Sequence, residues 1–372
     1  MEYQVLYRKY RPKDFAEVMG QDHIVSVLKR QIQSGRVAHA YLFSGPRGVG
    51  KTTVARIVAK AANCTVTGSK KEAPCNACPS CEAFNAGRAL NLIEIDAASN
   101  RGIDEIRELR DAVRFAPAEG RMKVYIIDEV HQLTKDAFNA LLKTLEEPPP
   151  HAMFILATTE LDKVLPTIVS RTQHFDFRRP RETVIRDRIL AIAKAEGAKL
   201  EPDAAAAIAF VAEGAMRDAE SMLGKILATG TNPIALGDVE EILGIPKREA
   251  LLTLSEHIGR RHLKEAIELL NSLYYRGYEM DYLAKLLIGF FRDALLAKTT
   301  TNPDGAPEAS MLPEGREALA AHLAAYSAND LARAIAALID AAELAKRSPI
   351  PQLPLELALV EIINADQENK TA

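Results

Sequence analysis

Nine residues, GPRGVGKTT at 45–53, constrain the architecture of this chain more than any other stretch. They fit the pattern G-x-x-x-x-G-K-[ST] and lie between an apolar run, YLF at 41–43, and a helical pattern over 52–63. A glycine-rich turn in that setting lets backbone N–H groups close around phosphate oxygens, and the helix start adds the positive end of its dipole. The cradle comprises Gly45, Pro46, Arg47, Gly48, Val49, Gly50, Lys51, Thr52 and Thr53. Lys51 is placed to reach the β- and γ-phosphates of a nucleoside triphosphate such as ATP, and the Thr52 hydroxyl to coordinate Mg²⁺.

The chain around this loop alternates in the way an α/β domain requires. Short runs rich in β-branched residues occur at 41–43, 90–96, 123–128, 153–159 and 174–177, with helical patterns between them at 52–63, 104–115 and 135–146. That alternation predicts a mainly parallel sheet with helices. Ile103, Ile106, Leu109 and Val113 share one helical face. The run VYIIDE ends in Asp128 and Glu129. Asp128 is placed to hold Mg²⁺, directly or through water, and Glu129 to polarise an attacking water. Without the phosphate loop the pair would read as ordinary strand-end acids. His131, just downstream, reads as structural.

After RRPRE at 178–182 the strand patterns stop. The expected organisation is an α/β P-loop domain at 1–178, a small helical lid at 179–243, a larger all-helical domain at 244–366 and a tail at 367–372. A loop is expected at 298–310. The aromatics Tyr274, Tyr275, Tyr278, Tyr282, Phe290 and Phe291 read as core and subunit interface, because Leu and Ile fill the same faces without a dense basic fringe. A net charge of −3 excludes a protein that coats nucleic acid by charge alone. No apolar stretch approaches the ~20 residues needed to cross a bilayer, and the first fifteen residues are too charged for a signal peptide. A soluble, cytoplasmic chain with no membrane partner is expected.

All four cysteines fall in one short loop, NCTVTGSKKEAPCNACPSC, at Cys64, Cys75, Cys78 and Cys81. Gaps of ten, two and two suit a closed, structural tetrahedral Zn²⁺ site, with a redox CxxC pair, an iron–sulfur cluster or four unrelated thiols as alternatives. The loop is too polar to fold on apolar contacts, so metal would stand in for a core. From sequence it reads as an insertion outside the chemistry.

The stretch DEVHQLTKDAFNALLKTLEEPPPHAMFILATTELDKVLPTIVSRT at 128–172 resembles the AAA+ domain of the gamma/tau subunits of bacterial DNA polymerase III. The segments YQVLYRKYRPKDFAEVMGQDHI at 3–24, AHAYLFSGPRGVGKTT at 38–53 and AEGAMRDAESML at 212–223 are similar to the same family. The resemblance is strongest over 1–223 and consistent in layout to about 365. It implies a clamp-loader ATPase of the bacterial replisome: a motor that opens and loads a sliding clamp onto primer–template DNA. It further implies partner subunits of the delta and delta-prime type, further copies of itself, and a helical collar. A polymerase core joins only through a longer tau form. The chain would belong to the polymerase holoenzyme without a polymerase site of its own.

The resemblance also assigns residues. Thr159 takes the first sensor position, with Thr158 the lesser choice. Arg171, in SRT where the family often has Ser-Arg-Cys, takes the arginine finger acting in trans. Arg217 takes the second sensor. Without it, Arg171 and Arg217 read as surface arginines. The basic segment YRKYRPKDF would line the adenine end of the pocket through Arg11 rather than bind DNA, and the family's zinc module falls at the cysteine loop. Arg101, at the start of a helix in SNRGIDEIR, is a DNA-phosphate candidate against a plain capped helix, with Asn100 or Asp104 as cap. Two rival readings are a different AAA+ motor, such as a branch-migration helicase, and a non-hydrolysing scaffold of the same loader.

Overall fold

Strand β1 (Ala40–Ser44) is buried along its whole length and hydrogen-bonds to a parallel strand on each side. The computed structural model that shows this describes residues 4–66, 73–117, 120–299 and 326–364. β1 belongs to a five-stranded sheet with β2 (Leu92–Asp96), β3 (Lys123–Asp128), β4 (Ala152–Thr158) and β5 (Gln173–Asp176). The order is β2-β3-β4-β1-β5 and every pairing is parallel. All five apolar runs in the sequence form strands, with their ends shifted by no more than two residues.

Parallel strands are covered on both faces, so their side chains divide by alternation into two cores. Tyr41, Phe43, Val124, Ile126 and Phe175 face α2 (Asp22–Gln33) and α3 (Lys51–Asn63), meeting Leu28, Val54 and Val58. Leu42, Tyr125, Ile127, Phe154 and Leu156 face the other way, toward α5 (Ile103–Val113) and α6 (Lys135–Glu146). Ile106, Leu109 and Val113 of the expected α5 face are buried there; Ile103 is half-buried. The Thr134 hydroxyl caps α6, accepting from the Ala137 amide at 3.3 Å. Shorter helices α1 (Leu6–Lys9), α4 (Pro79–Asn85) and α7 (Pro166–Val169) complete this part of the chain.

Two units emerge, one within residues 1–192 and 208–224 and the other within 193–207 and 225–372. The divisions fall inside α8 (Glu182–Ala195), α9 (Pro202–Val211) and α10 (Met216–Leu227). The sheet lies in the first unit. The second contains α11 (Leu236–Leu243), α12 (Arg248–Gly259), α13 (Leu263–Tyr275), α14 (Met280–Thr299), α15 (Ala328–Ala345) and α16 (Leu353–Asn364). Its core includes Leu254, Leu270, Leu287, Phe290, Phe291 and Leu338. The two phenylalanines are thus packing residues, whereas Tyr275 is 80% exposed. Lys298 and Thr299 of the expected loop at 298–310 are helical, because α14 runs to Thr299; residues 300–310 and the tail at 367–372 lie outside the described residues.

Candidate functional site

The carboxyl ends of β1, β3 and β4 are neighbours, and the chain turns out of each of them at a residue that matters. Ligands of open α/β sheets bind at this edge. After β1, Gly45 and Gly48 adopt φ of 135° and 77°, conformations costly for any residue with a Cβ. Space excludes a side chain as well. A Cβ on Gly45 would sit 2.3 Å from the Phe177 carbonyl oxygen, and one on Gly48 would sit 2.9 Å from Ala215 Cβ. The loop delivers the chain into α3, whose N-cap, Gly50, offers no side chain to its first amides. Those N–H groups point where a phosphate would be received.

Lys51 is 6% exposed, and its Nζ donates to the carbonyls of Gly45 at 2.7 Å and Pro46 at 2.8 Å. Burial lowers its pKa, against the pull of the Glu129 and Asp128 carboxylates. Thr52 Oγ1 donates to Asp128 Oδ2 at 2.7 Å. Two oxygens held at that separation suit adjacent positions on an octahedral Mg²⁺, whose ligand distances of ~2.1 Å set neighbouring oxygens ~2.9 Å apart. Asp128 Oδ1 accepts from the Glu129 amide at 3.0 Å.

Glu129 takes a left-handed backbone conformation, φ 49°, which turns its carboxylate across the sheet edge toward β4. There Glu129 Oε2 accepts from the Thr159 hydroxyl at 2.8 Å and the Thr159 amide at 3.2 Å. Of the two candidate threonines, Thr159 is therefore the one that touches the acid. Thr158 is fully buried and pairs through Oγ1 with His131 Nδ1 at 3.0 Å. His131 also meets Glu160 at 3.1 Å through Nε2 and lies 3.5 Å from Glu129 Oε2 through Nδ1, so it ties the ends of β3 and β4 together and touches the acid as well.

A cleft over the phosphate loop is lined by Arg47, Val49, Thr53, Arg11 and Arg217 together with Lys51, Thr52, Asp128 and Glu129. Burial lowers the Arg11 pKa, with the nearby Arg56 charge adding to it. The Arg217 guanidinium lies over the Tyr7 ring, 4.5 Å from its centroid, and holds the Tyr7 phenol below its usual range. Arg171 is not in this cleft. It is half-buried and paired with Glu146 at 2.8 Å, on a separate depression bordered by Ala38 and Thr172. Arg101 is exposed and donates to the Ala98 carbonyl at 2.9 Å, and α5 after it has Gly102 as its N-cap with no side-chain cap, so neither Asn100 nor Asp104 serves as one.

Tyr7 lies in the segment expected to line the pocket, whereas Arg188 and Glu220 are cleft residues the sequence reading did not single out. Arg188 on α8 and Glu220 on α10 form a buried ion pair, Nε to Oε1, at 3.1 Å, and Arg188 also donates to the Tyr10 carbonyl. Burial raises the Glu220 pKa against the pull of Arg188. One signal was available, since Glu220 stands three residues after Arg217 and so on the same helical face. Arg188 carried none, because its partners come from distant parts of the chain.

The four cysteines converge. Their Sγ atoms all lie within 4.8 Å of one another, and Cys75 Sγ is 4.0 Å from Cys81 Sγ. A tetrahedral zinc thiolate site with ~2.3 Å bonds needs sulfurs ~3.8 Å apart, so a small contraction completes it. Backbone amides already point at two of the sulfurs, Cys75 N to Cys64 Sγ and Cys81 N to Cys78 Sγ, both at 3.5 Å. Burial opposes ionisation of Cys78, yet hydrogen bonds from Thr65 and Cys81 outweigh it and bring the thiol down to about 6. All four cysteines are free thiols, and the partly buried apolar residues Val66 and Ala73 pack beside them. The donor set fits a zinc ion, and the cluster is a candidate metal site.

Residues 20–181 match the family described as DNA polymerase III, delta subunit, and residues 234–371 match domain III of the DNA polymerase III subunits gamma and tau. The chain is 40% identical over 299 residues to DNA polymerase III subunit gamma of Buchnera aphidicola subsp. Schizaphis graminum, covering 80% of this chain and 82% of that protein. The chain belongs to the gamma/tau family of DNA polymerase III subunits. It is also 40% identical to subunit tau of Bacillus subtilis over 99% of its own length and 65% of the relative's. With subunit tau of Escherichia coli it shares 43% identity, over 78% of this chain and 45% of the relative. This gamma/tau chain therefore spans about half to two thirds of those tau subunits. A mutant form of Thermotoga maritima RuvB shares the fold, with a TM-score of 0.50 and 19% identity over 75% of this chain and 85% of that one. At that identity the likeness speaks to the fold alone.

Proposed function

We propose that the chain is the ATP-hydrolysing motor subunit of a bacterial sliding-clamp loader. The observation that carries this reading is the convergence of Lys51, Thr52, Asp128, Glu129 and Thr159 at one sheet edge in a gamma/tau family member. Lys51 would exchange its two loop carbonyls for β- and γ-phosphate oxygens. Thr52 and Asp128 would hold Mg²⁺, which supplies charge neutralisation on the phosphates. Glu129 would give up Thr159 and turn its carboxylate to an attacking water. As that water's oxygen bonds to the γ-phosphorus, the bond to the bridging oxygen breaks, releasing ADP and phosphate. Thr159, freed from Glu129, would read the γ-phosphate.

Arg217 and Arg11 would hold the nucleotide from the far side of the cleft. Arg171 would act on the nucleotide of a neighbouring subunit, consistent with its partial exposure and its place outside the chain's own cleft. The reading includes a lid at 179–243 and an oligomerising collar at 244–366. Ile339, Leu344, Leu357 and Val360 on α15 and α16 remain exposed, which supports a subunit interface there. The proposed partners are delta-type and delta-prime-type subunits, further copies of this chain, the clamp and primer–template DNA. Among the described residues no helix is long and apolar enough to cross a membrane.

The test is ATP hydrolysis by the purified chain with its loader partners, with and without clamp and primed DNA. Slow hydrolysis alone and a sharp rise only with all components supports the loader. Full stimulation by DNA alone, indifferent to the clamp, would mean a translocase.

A further inference from the structure

Lys60 is a buried charge that the chemistry above does not use. It lies on α3, the helix that begins with Lys51, and is 4% exposed. Its three ammonium donors find three neutral acceptors: Asn76 Oδ1 at 2.5 Å, Asn85 Oδ1 at 2.7 Å and the Lys13 carbonyl. A buried ammonium must satisfy every donor, so this position fixes all three partners at once. Two of them belong to the cysteine module. Asn76 lies between Cys75 and Cys78, and Asn85 ends the helix that carries Cys81.

The third acceptor belongs to a turn at the cleft. The Asp14 carboxylate accepts from the Ala16 and Glu17 amides at 2.9 and 3.2 Å, and Glu17 accepts from the Lys13 amide at 2.7 Å. Phe15 anchors this turn in the core at 3% exposure. Arg11 and Pro12 before it, and Glu17, Val18 and Met19 after it, line the cleft over the phosphate loop. Asn76 grips the turn a second time, donating from Nδ2 to Asp14 Oδ2 at 3.1 Å. The side chain that does so is aimed by a left-handed backbone, φ 55°, inside the knuckle.

We propose that Lys60 and Asn76 clamp the 13–17 turn to the cysteine knuckle, so that metal occupancy at the four thiols sets the shape of one cleft wall and the affinity for nucleotide. The proposal rests on the nucleotide reading of that cleft. Thiols make the centre of the knuckle with Val66 and Ala73 beside them, so losing its metal loosens Asn76, which stands between two of the cysteines. Lys60 then loses that acceptor, while Phe84 keeps the helix that ends in Asn85 packed on the core shared with α2 and α3. The turn keeps its internal hydrogen bonds but loses its brace.

Hydrogen exchange over residues 11–19 and the Kd for a fluorescent ATP analogue with Mg²⁺ test this on the full chain, as purified, after chelation and after zinc is restored. Asn76→Gly provides a metal-independent arm, because glycine keeps the left-handed backbone and removes only the side chain. Chelation and Asn76→Gly should each speed exchange in the turn and weaken nucleotide binding by roughly five-fold, the effect of about one lost hydrogen bond. Asn76→Gly should still retain its zinc, and chelating it should add little further loss. Unchanged exchange after metal removal would overturn the clamp. Faster exchange with an unchanged Kd would overturn its link to nucleotide. No binding by the untreated, zinc-loaded chain would instead sink the ATPase reading, an outcome the same titration separates from the others.

Discussion

Glu129 shows how one side chain can be present, correctly placed and still restrained. Its two hydrogen bonds from Thr159 hold the carboxylate against the end of β4 while Lys51 is occupied by carbonyls of its own loop. Replacing the acid with an isosteric amide would remove the proposed base and leave the glycine loop intact. Glu129→Gln should lower the hydrolysis rate by about 10²- to 10⁴-fold with nucleotide affinity nearly unchanged, checked by steady-state hydrolysis beside a binding titration. Lys51→Ala should instead abolish binding. At Gly45 the constraint is steric and conformational together, so Gly45→Ala should destabilise the protein by about 1–3 kcal/mol as well as spoil the cradle. Thermal unfolding of the variant without nucleotide would show it, and an unaltered midpoint would contradict the clash with Phe177. The glycines, the lysine and the acidic pair were legible because their spacing is itself the mechanism. Arg188 and Glu220 were not, because an ion pair between two helices distant in the sequence leaves no pattern in one segment.

The helix carrying the phosphate loop binds its surroundings at both ends. At its start Gly50 leaves the first amides uncapped, and near its end Lys60 reaches the cysteine module and the 13–17 turn. Thiols, with Val66 and Ala73 beside them, make up the centre of the module. Elemental analysis should find one zinc per chain, and Cys81→Ser should lose it and make the 64–81 loop protease-sensitive while the sheet stays folded. Stoichiometric iron in place of zinc would revive the cluster alternative. The spacing of the cysteines predicted that they would meet, and they do. That same spacing suggested a module apart from the chemistry, and the hydrogen bonds of Asn76 and Lys60 argue for a closer tie.

The assembled molecule raises questions that neither a residue nor an element can answer. Arg171 faces away from the chain's own cleft and holds Glu146 in an exposed pair worth little in water, an arrangement a second subunit could exchange cheaply. Arg171→Ala should leave nucleotide binding by the isolated chain intact and cut hydrolysis by the assembled loader at least 10³-fold, measured on reconstituted complexes. Equal loss in the isolated chain would place Arg171 in its own site. Leu357 is 59% exposed on α16, and Leu357→Glu should weaken self-association without lowering the unfolding midpoint, as read by sedimentation and calorimetry.

By itself the sequence determined the alternation that builds the sheet, the phosphate loop, the acidic strand end and the four-thiol set. Each of these is a local arrangement whose chemistry depends on residue spacing, and spacing survives in one dimension. Only the tertiary structure decided that Thr159 rather than Thr158 restrains Glu129, that Arg188 pairs with Glu220, and that Lys60 ties the cysteine knuckle to the cleft wall. Those choices depend on which strand ends and helix faces become neighbours. Side-chain alternation on the sheet sends Thr158 inward to His131 and leaves Thr159 for the acid. The burial of Lys60 requires acceptors from three segments that only the folded chain brings together.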